Sequence, residues 1–302
     1  MLSGIFTKPT IDIILDEIEG RKKATIYEIN GTITRLPLFY DKEDISGKII
    51  LKIPQGKTFE HKGIKLELMG IIKSLSDPND ILKFISLTSE LESIGILSKE
   101  INIFDFKFTS VQKQFETYRG KLKNIIYLLK ITIDTSFRTL SYEQEFAVYN
   151  PEPISVLNEN DNPIKLEVGV DEWLKIIFEV DSRNFDIKGL IVGRVTFKKV
   201  SIRLNSMEVR IIKKESINTQ DNKPLYQDII AYEIMDGGPI KNEIVPIRLY
   251  LKPYGLTPTM NNVNNRLCVT YLISLVLIDI EDRQYFKKHE IILHRIEKKK
   301  VN

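Results

Sequence analysis

LKNIIYLLKITI, residues Leu122–Ile133, is the stretch on which the fold depends. Its apolar residues occupy both alternating faces, which fits a strand covered on both sides. A matching run, Leu267–Ile278, recurs in the second half of the chain. Outward from these two runs the parallel continues. Ser46-Gly47-Lys48-Ile49-Ile50-Leu51 matches Val192-Gly193-Arg194-Val195-Thr196-Phe197, and each is followed by an alternating segment, IKLELM (Ile64–Met69) or SIRLNSMEVRI (Ser201–Ile211). Glu145-Phe146-Ala147-Val148 corresponds to Glu290-Ile291-Ile292-Leu293. Many short strands, little helix and an internal duplication predict an all-β chain of two similar antiparallel β-sandwiches in tandem.

The remaining periodicity agrees. Thr25–Ile29 and Thr32–Leu36 flank Asn30-Gly31, the dipeptide suited to a type I′ hairpin turn. Asn102–Phe108, NIFDFKF, alternates, with its three phenylalanines on one face. Only Asp80–Gly95, with Ile81, Phe84 and Ile85, has helical spacing. Tyr149–Pro163 carries three prolines amid Asn, Asp and Glu and is the expected linker. The expected organisation is an N-terminal sandwich over 1–150, a linker over 151–163 and a C-terminal sandwich over 164–302.

Composition restricts function. The 302 residues are 42% hydrophobic and 28% charged, enough for two apolar cores. Lys+Arg 44 against Asp+Glu 41 leaves +3, too small a surplus to point to nucleic acid. The basic cluster Lys298-Lys299-Lys300 is expected to be solvated tail. Cys268 is the lone cysteine, so no intrachain disulfide forms, and its apolar surroundings predict a small buried hydrophobe. The N-terminus lacks the pattern of a signal peptide, and no apolar run approaches about 18 residues. The expectation is a soluble protein of a reducing compartment.

Catalytic and metal motifs fail on inspection. Gly56-Lys57-Thr58 resembles the end of a phosphate loop, but the pattern needs glycine where Leu51 stands. His289-Glu290 opens like a zinc-protease helix, yet His294 comes one residue late, in a segment that reads as strand. His61 is the only other histidine. Glu281-Asp282, beside Arg283, reads as a solvated hairpin turn. No enzyme, metal site or cofactor is expected, so function falls to surfaces, sheet edges and turns.

One turn stands out. In YEIMDGGPIKNEIVPIRLYL (Tyr232–Leu251), Ile234 and Met235 precede Asp236-Gly237-Gly238-Pro239. The glycines accept positive φ and the proline cannot donate to a ladder. An Ile-Met pair at the rim of a turn is either core closing the end of a sandwich or an anchor for another protein.

Longer stretches carry a resemblance. EVGVDEWLKIIFEV (Glu167–Val180), LIVGRVTF (Leu190–Phe197), MEVRIIKKE (Met207–Glu215), YEIMDGGPIK (Tyr232–Lys241), PIRLYL (Pro246–Leu251) and EDRQYFKKHEIILHR (Glu281–Arg295) resemble the arrestin-like retromer subunit family, vacuolar protein sorting protein twenty-six. LFYDKEDISGKIIL (Leu38–Leu51), FEHKGIKLELMG (Phe59–Gly70) and YRGKLKNIIYLLKITI (Tyr118–Ile133) extend the likeness over nearly the whole chain. The resemblance implies tandem arrestin-like, immunoglobulin-type sandwiches and a non-catalytic adaptor of endosome-to-Golgi retrograde transport. Such an adaptor is cytoplasmic and peripherally associated with endosomal membranes, with mainly indirect membrane contact and no nucleic-acid partner.

In that family the C-terminal sandwich binds the large α-solenoid subunit. The matching positions are Ile234 and Met235, followed by Asp236, Gly237, Gly238 and Pro239, which turns the pair into exposed anchors. Each apolar anchor would contribute about 1.5–3 kcal/mol when buried in a partner's groove. The family also holds cargo tails against a sorting nexin, the tail adding as an edge strand. Val168 and Phe286 match that pocket, though by residue type alone both suit ordinary core. Asp44 lies in the region where some members bind a second sorting nexin. The alternative is another arrestin-clan trafficking adaptor, the related retriever subunit or a stand-alone receptor adaptor. Stand-alone members often use Pro-Pro-x-Tyr motifs, and this chain has only an adjacent Pro253-Tyr254.

Overall fold

The computed structural model describes residues 8–159, 162–170, 173–217 and 223–297, so Lys298–Lys300 lie outside the described residues. The chain divides into two compact units that part between Asn150 and Pro151. Strands dominate both, and the architecture is all-β, with tandem arrestin-like sandwiches.

The first unit has a three-stranded sheet in the order Thr10–Leu15, Ile45–Lys52, Ile101–Phe108. Its larger sheet runs Lys23–Tyr27, Ile33–Tyr40, Thr139–Tyr149, Lys123–Asp134, Gly63–Ser74, Ile81–Glu92. The second unit has a four-stranded sheet, Ile164–Val170, Leu174–Val180, Leu190–Val200, Ile244–Tyr250. Its larger sheet runs Asn184–Asp186, Gln284–His294, Leu267–Asp279, Leu204–Ser216, Leu225–Asp236. The central strands Lys123–Asp134 and Leu267–Asp279 bury most of both faces, as the dense apolar runs require.

The duplication extends to single atoms. Each larger sheet has one parallel pair at the same place, Ile33–Tyr40 with Thr139–Tyr149 and Asn184–Asp186 with Gln284–His294. Thr117 N–H donates to Val148 O (3.0 Å), and Val148 N–H returns to Thr117 Oγ1 (2.9 Å). Thr259 and Leu293 repeat the exchange at 2.8 and 2.9 Å. Two residues earlier in each segment, a buried tyrosine holds the crossing chain. Tyr127 OH donates to Phe115 O (2.7 Å), and Tyr271 OH bonds Thr257 Oγ1 (2.9 Å). Burial is the main influence on both phenols and raises their pKa, that of Tyr271 to about 12. Both stay neutral hydrogen-bonding groups.

Three local expectations are corrected. Ile81–Glu92 is a strand, not a helix. A bulge between Gly70 and Ile71 leaves Phe84 without a partner and shifts the alternation, which imitates helical spacing. Phe84 lies over Gly70, where an added Cβ would sit 2.7 Å from its ring. The Asn30-Gly31 hairpin is not type I′, because only Gly31 has positive φ, at 83°. Gly31 N–H closes a tight turn on Glu28 O (3.0 Å), and Asn30 Oδ1 accepts from Thr32 N–H (3.0 Å). That is a type I turn followed by a left-handed glycine. Cys268 is half-buried rather than sealed in.

The described part of 151–163 is fastened to the second unit. Ile154–Asn158 forms a 3-10 turn, and Glu152 bridges Ile296 in parallel. Glu152 N–H donates to Arg295 O (2.7 Å) and Glu297 N–H to Glu152 O (2.8 Å).

Candidate docking turn and sheet edges

Leu225–Asp236 is the last strand of its sheet and pairs only with Leu204–Ser216 among the described residues. Met235 lies opposite Met207 and Glu233 opposite Glu208, so Ile234 is the extra residue of a β-bulge. A bulge turns consecutive side chains away from strict alternation. Ile234 and Met235 are accordingly both half-buried, between the two readings the sequence left open.

The turn that follows is rigidly held. Gly237 takes φ 94°, and its N–H donates to Asn205 O at 2.6 Å. Space around Gly237 is open, so the positive φ and not crowding calls for glycine there. Asp236 and Gly238 are exposed, whereas Pro239 is buried and plugs the turn. Ile240 N–H donates to Glu243 Oε2 (2.9 Å), and Asn242 N–H to Phe197 O (2.6 Å). Beyond the plug, Ile240 is 73% and Ile244 58% exposed. Sequence reading missed this second apolar pair. An isoleucine between a proline and Lys241-Asn242 sits in a turn with nothing to pack on, and that was the available signal.

Val168 and Phe286 occupy different sheets. Val168 is buried, opposite Ile176, in the edge strand Ile164–Val170. Phe286 is 57% exposed, opposite Val276, with Lys288 Nζ 4.9 Å above its ring. Cα atoms of the two strands come within 8 Å, so the backbones converge while the side chains differ in burial. The same Lys288 lies 5.7 Å from the Tyr226 ring. Such a cation above exposed aromatic faces contributes about 0.5–1 kcal/mol.

Charged groups near the other expected features are structural. Glu281 and Asp282 form the tip of a hairpin that is organised by Asp279, a residue the sequence reading passed over. Asp279 is buried and accepts from the N–H groups of Glu281 (2.9 Å) and Arg283 (3.0 Å), from Arg283 Nε (2.8 Å) and from Tyr285 OH (3.1 Å). Burial would raise its pKa, but these donors outweigh it and bring the carboxyl down to about 2. Asp44 is held below the usual carboxylate range by Ser110 N–H and Lys107. Close by, the buried Lys113 Nζ donates to Glu43 O (2.8 Å) and Val111 O (2.7 Å). Burial brings its pKa down to about 8, against the opposing pull of Asp41, Glu43 and Asp44.

The histidines are separate: His61 is buried near Glu92 (3.6 Å), and His294 bonds Glu152 Oε2 (2.5 Å). Among the described residues no group of His, Cys, Asp and Glu has the geometry to hold a metal ion. No helix among them is long and apolar enough to cross a membrane.

A family profile described as vacuolar protein sorting-associated protein 26 matches residues 6–282. The chain belongs to that family. Relatives named vacuolar protein sorting-associated protein 26B are similar over nearly their full length. The Arabidopsis thaliana protein is 38% identical over 299 residues, 98% of this chain and 97% of its own. The Homo sapiens protein is 39% identical over 287 residues, 94% of this chain and 84% of its own. A Danio rerio 26B-like protein is 40% identical over 288 residues, 94% of this chain and 86% of its own. A vacuolar protein sorting-associated protein 26 chain is a protein-sorting subunit of retromer type. Sorting is work for surfaces, and the bulged strand, its turn and the open sheet edges are the surfaces that present apolar and unpaired backbone groups.

Proposed function

We propose that this chain is the non-catalytic adaptor of an endosomal retromer coat and docks on the large α-solenoid subunit through Ile234–Pro239. The observation that carries the docking assignment is the bulge at Ile234 followed by the locked Gly237–Pro239 turn. It presents two half-buried apolar side chains on a rigid rim, with Ile240 and Ile244 exposed beside them. A rigid rim loses little conformational entropy on binding, so its apolar side chains act as hot spots. Family membership supports the coat assignment. The adaptor works in the cytoplasm, held at endosomal membranes by its partners, in retrograde transport from endosome to Golgi. Sorting nexins and cargo tails engage the second unit at the Ile164–Val170 edge, with Val168 and Phe286 shaping the selectivity of that pocket.

The test is a titration against the large solenoid subunit of the same complex, comparing wild type with the Ile234→Asp/Met235→Asn double variant. Circular dichroism checks that the variant is folded. A folded variant that has lost at least tenfold in affinity supports the assignment. A folded variant with wild-type affinity places the contact elsewhere, and an unfolded one makes the pair core.

A further inference from the structure

The duplication leaves one strand position filled in the second unit and open in the first. Gly47 lies opposite Leu15, and Gly193 opposite Val180, which aligns Thr10–Leu15 with the strand Leu174–Val180. Leu174–Val180 carries Ile164–Val170 on its far side. Thr10–Leu15 ends its sheet, and no strand among the described residues pairs with its far side.

The open side presents a defined set of backbone groups. Asp16 N–H donates to Ser46 O at 3.0 Å. Hydrogen-bonded pairs alternate along an antiparallel ladder. Ile14 and Asp12 therefore turn their backbone groups toward Ile45–Lys52, and Ile11, Ile13 and Leu15 turn theirs outward. In the second unit, Asp181 N–H to Val192 O (3.0 Å) sets the same phase. There the outward groups belong to Ile176, Phe178 and Val180, opposite Val168, Leu166 and Ile164.

Four other edges are blunted, whereas Ile164–Val170 and Lys23–Tyr27 also keep an unshifted register. Leu225–Asp236 and Ile81–Glu92 contain bulges, and Ile244–Tyr250 contains Pro246. Ile101–Phe108 has Cα atoms of Ile81–Glu92 within 8 Å. Thr10–Leu15 has an unshifted register and no proline within it.

We infer that the Thr10–Leu15 edge takes an extended peptide tail from another protein as an added antiparallel strand. The repeat specifies the tail's chemistry. Residues opposite Leu15, Ile13 and Ile11 are apolar, as Ile164, Leu166 and Val168 are in the second unit. The residue opposite Ile14, which is 46% exposed, is also apolar. The residue opposite Asp12 is Lys or Arg. Asp12 now meets Lys52 at 3.0 Å with both side chains about half exposed, a weak pair that an incoming cation can share. The tail runs from the Leu15 end toward Thr10. This assignment is independent of the solenoid docking turn.

The probe is a labelled heptapeptide, IVLKVGV, titrated against the whole chain by fluorescence anisotropy, with backbone hydrogen exchange followed by mass spectrometry. Saturable binding should slow exchange at Ile11, Ile13 and Leu15, whose N–H groups face outward. Asp12→Lys should weaken binding of this peptide and favour IVLEVGV, and N-methylation at the third and fifth peptide residues should abolish binding. No binding would overturn the inference. So would exchange at Ile11, Ile13 and Leu15 that is already slow without peptide, protection confined to Ile164–Val170, or affinity indifferent to Asp12→Lys and to N-methylation.

Discussion

Gly47 in the first unit and Gly193 in the second fill the same position under the same constraint. An added Cβ would lie 2.2 Å from Ile14 O in one and 2.4 Å from Glu179 O in the other. The Thr117–Val148 and Thr259–Leu293 exchanges and the two buried tyrosines are equally matched. At the margins the units diverge, with four strands against three in the smaller sheets, although the bulge at Ile234 has its counterpart opposite Ile64 and Lys65. Interior positions answer to close packing, which allows few solutions and therefore repeats them. Margins answer to whatever binds there, so they differ.

The glycines test the equivalence most severely. Gly47→Ala and Gly193→Ala should each cost about 3 kcal/mol, at the upper end for overpacking against backbone, read by thermal unfolding. A tolerated alanine at either site would break the correspondence. The tyrosines sharpen it. Tyr127→Phe removes the hydroxyl donor to a backbone carbonyl and should cost about 1–3 kcal/mol. Tyr271→Phe leaves a threonine hydroxyl free to find another partner and should cost about 1 kcal/mol. Equal losses in denaturant melts would remove that distinction.

A further effect separates the units by pH. Lys113 titrates near 8 in the folded first unit against an ordinary 10.5. Between those values the unfolded chain holds a proton that the folded chain lacks, so stability rises with pH across that window. The wild-type midpoint measured against Lys113→Met should show this rise, and a flat difference would refute it. Asp279 works at the other extreme. Its carboxyl titrates near 2 instead of 3.8, so its stabilisation is complete above about pH 4 and is lost as pH falls toward 2. Asp279→Asn should flatten that acid slope.

Period-two alternation made most strands legible, as in Asn102–Phe108, because one face of each is buried and the other wet. It failed at Asp80–Gly95, where the bulge at Phe84 inserts a residue that only the facing strand reveals. Asn30-Gly31 marked a hairpin correctly, but its turn type depended on the Asn30 side chain bonding Thr32, which competes with the backbone geometry the dipeptide favours. At the proposed docking turn, Asp236-Gly237-Gly238-Pro239 announced itself through glycine and proline. The half-burial of Ile234 and Met235 and the exposure of Ile240 did not, since burial is set by residues remote in sequence. Lys113 gave no local sign at all: a lysine among polar neighbours reads as surface until Glu43 and Val111 close over it.

The pairing of Glu152 with Ile296 places the two ends of the second unit's described chain one hydrogen bond apart. The order in which its strands are threaded is thus separable from the sheets they build. Residues 151 and 297 can be joined by a short loop and the chain opened at Lys241-Asn242, giving a circular permutant with the same ladders, because adjacent ends in a compact unit tolerate rejoining. In such a permutant the proposed docking rim would sit at a chain terminus, uncoupled from the hairpin that now carries it.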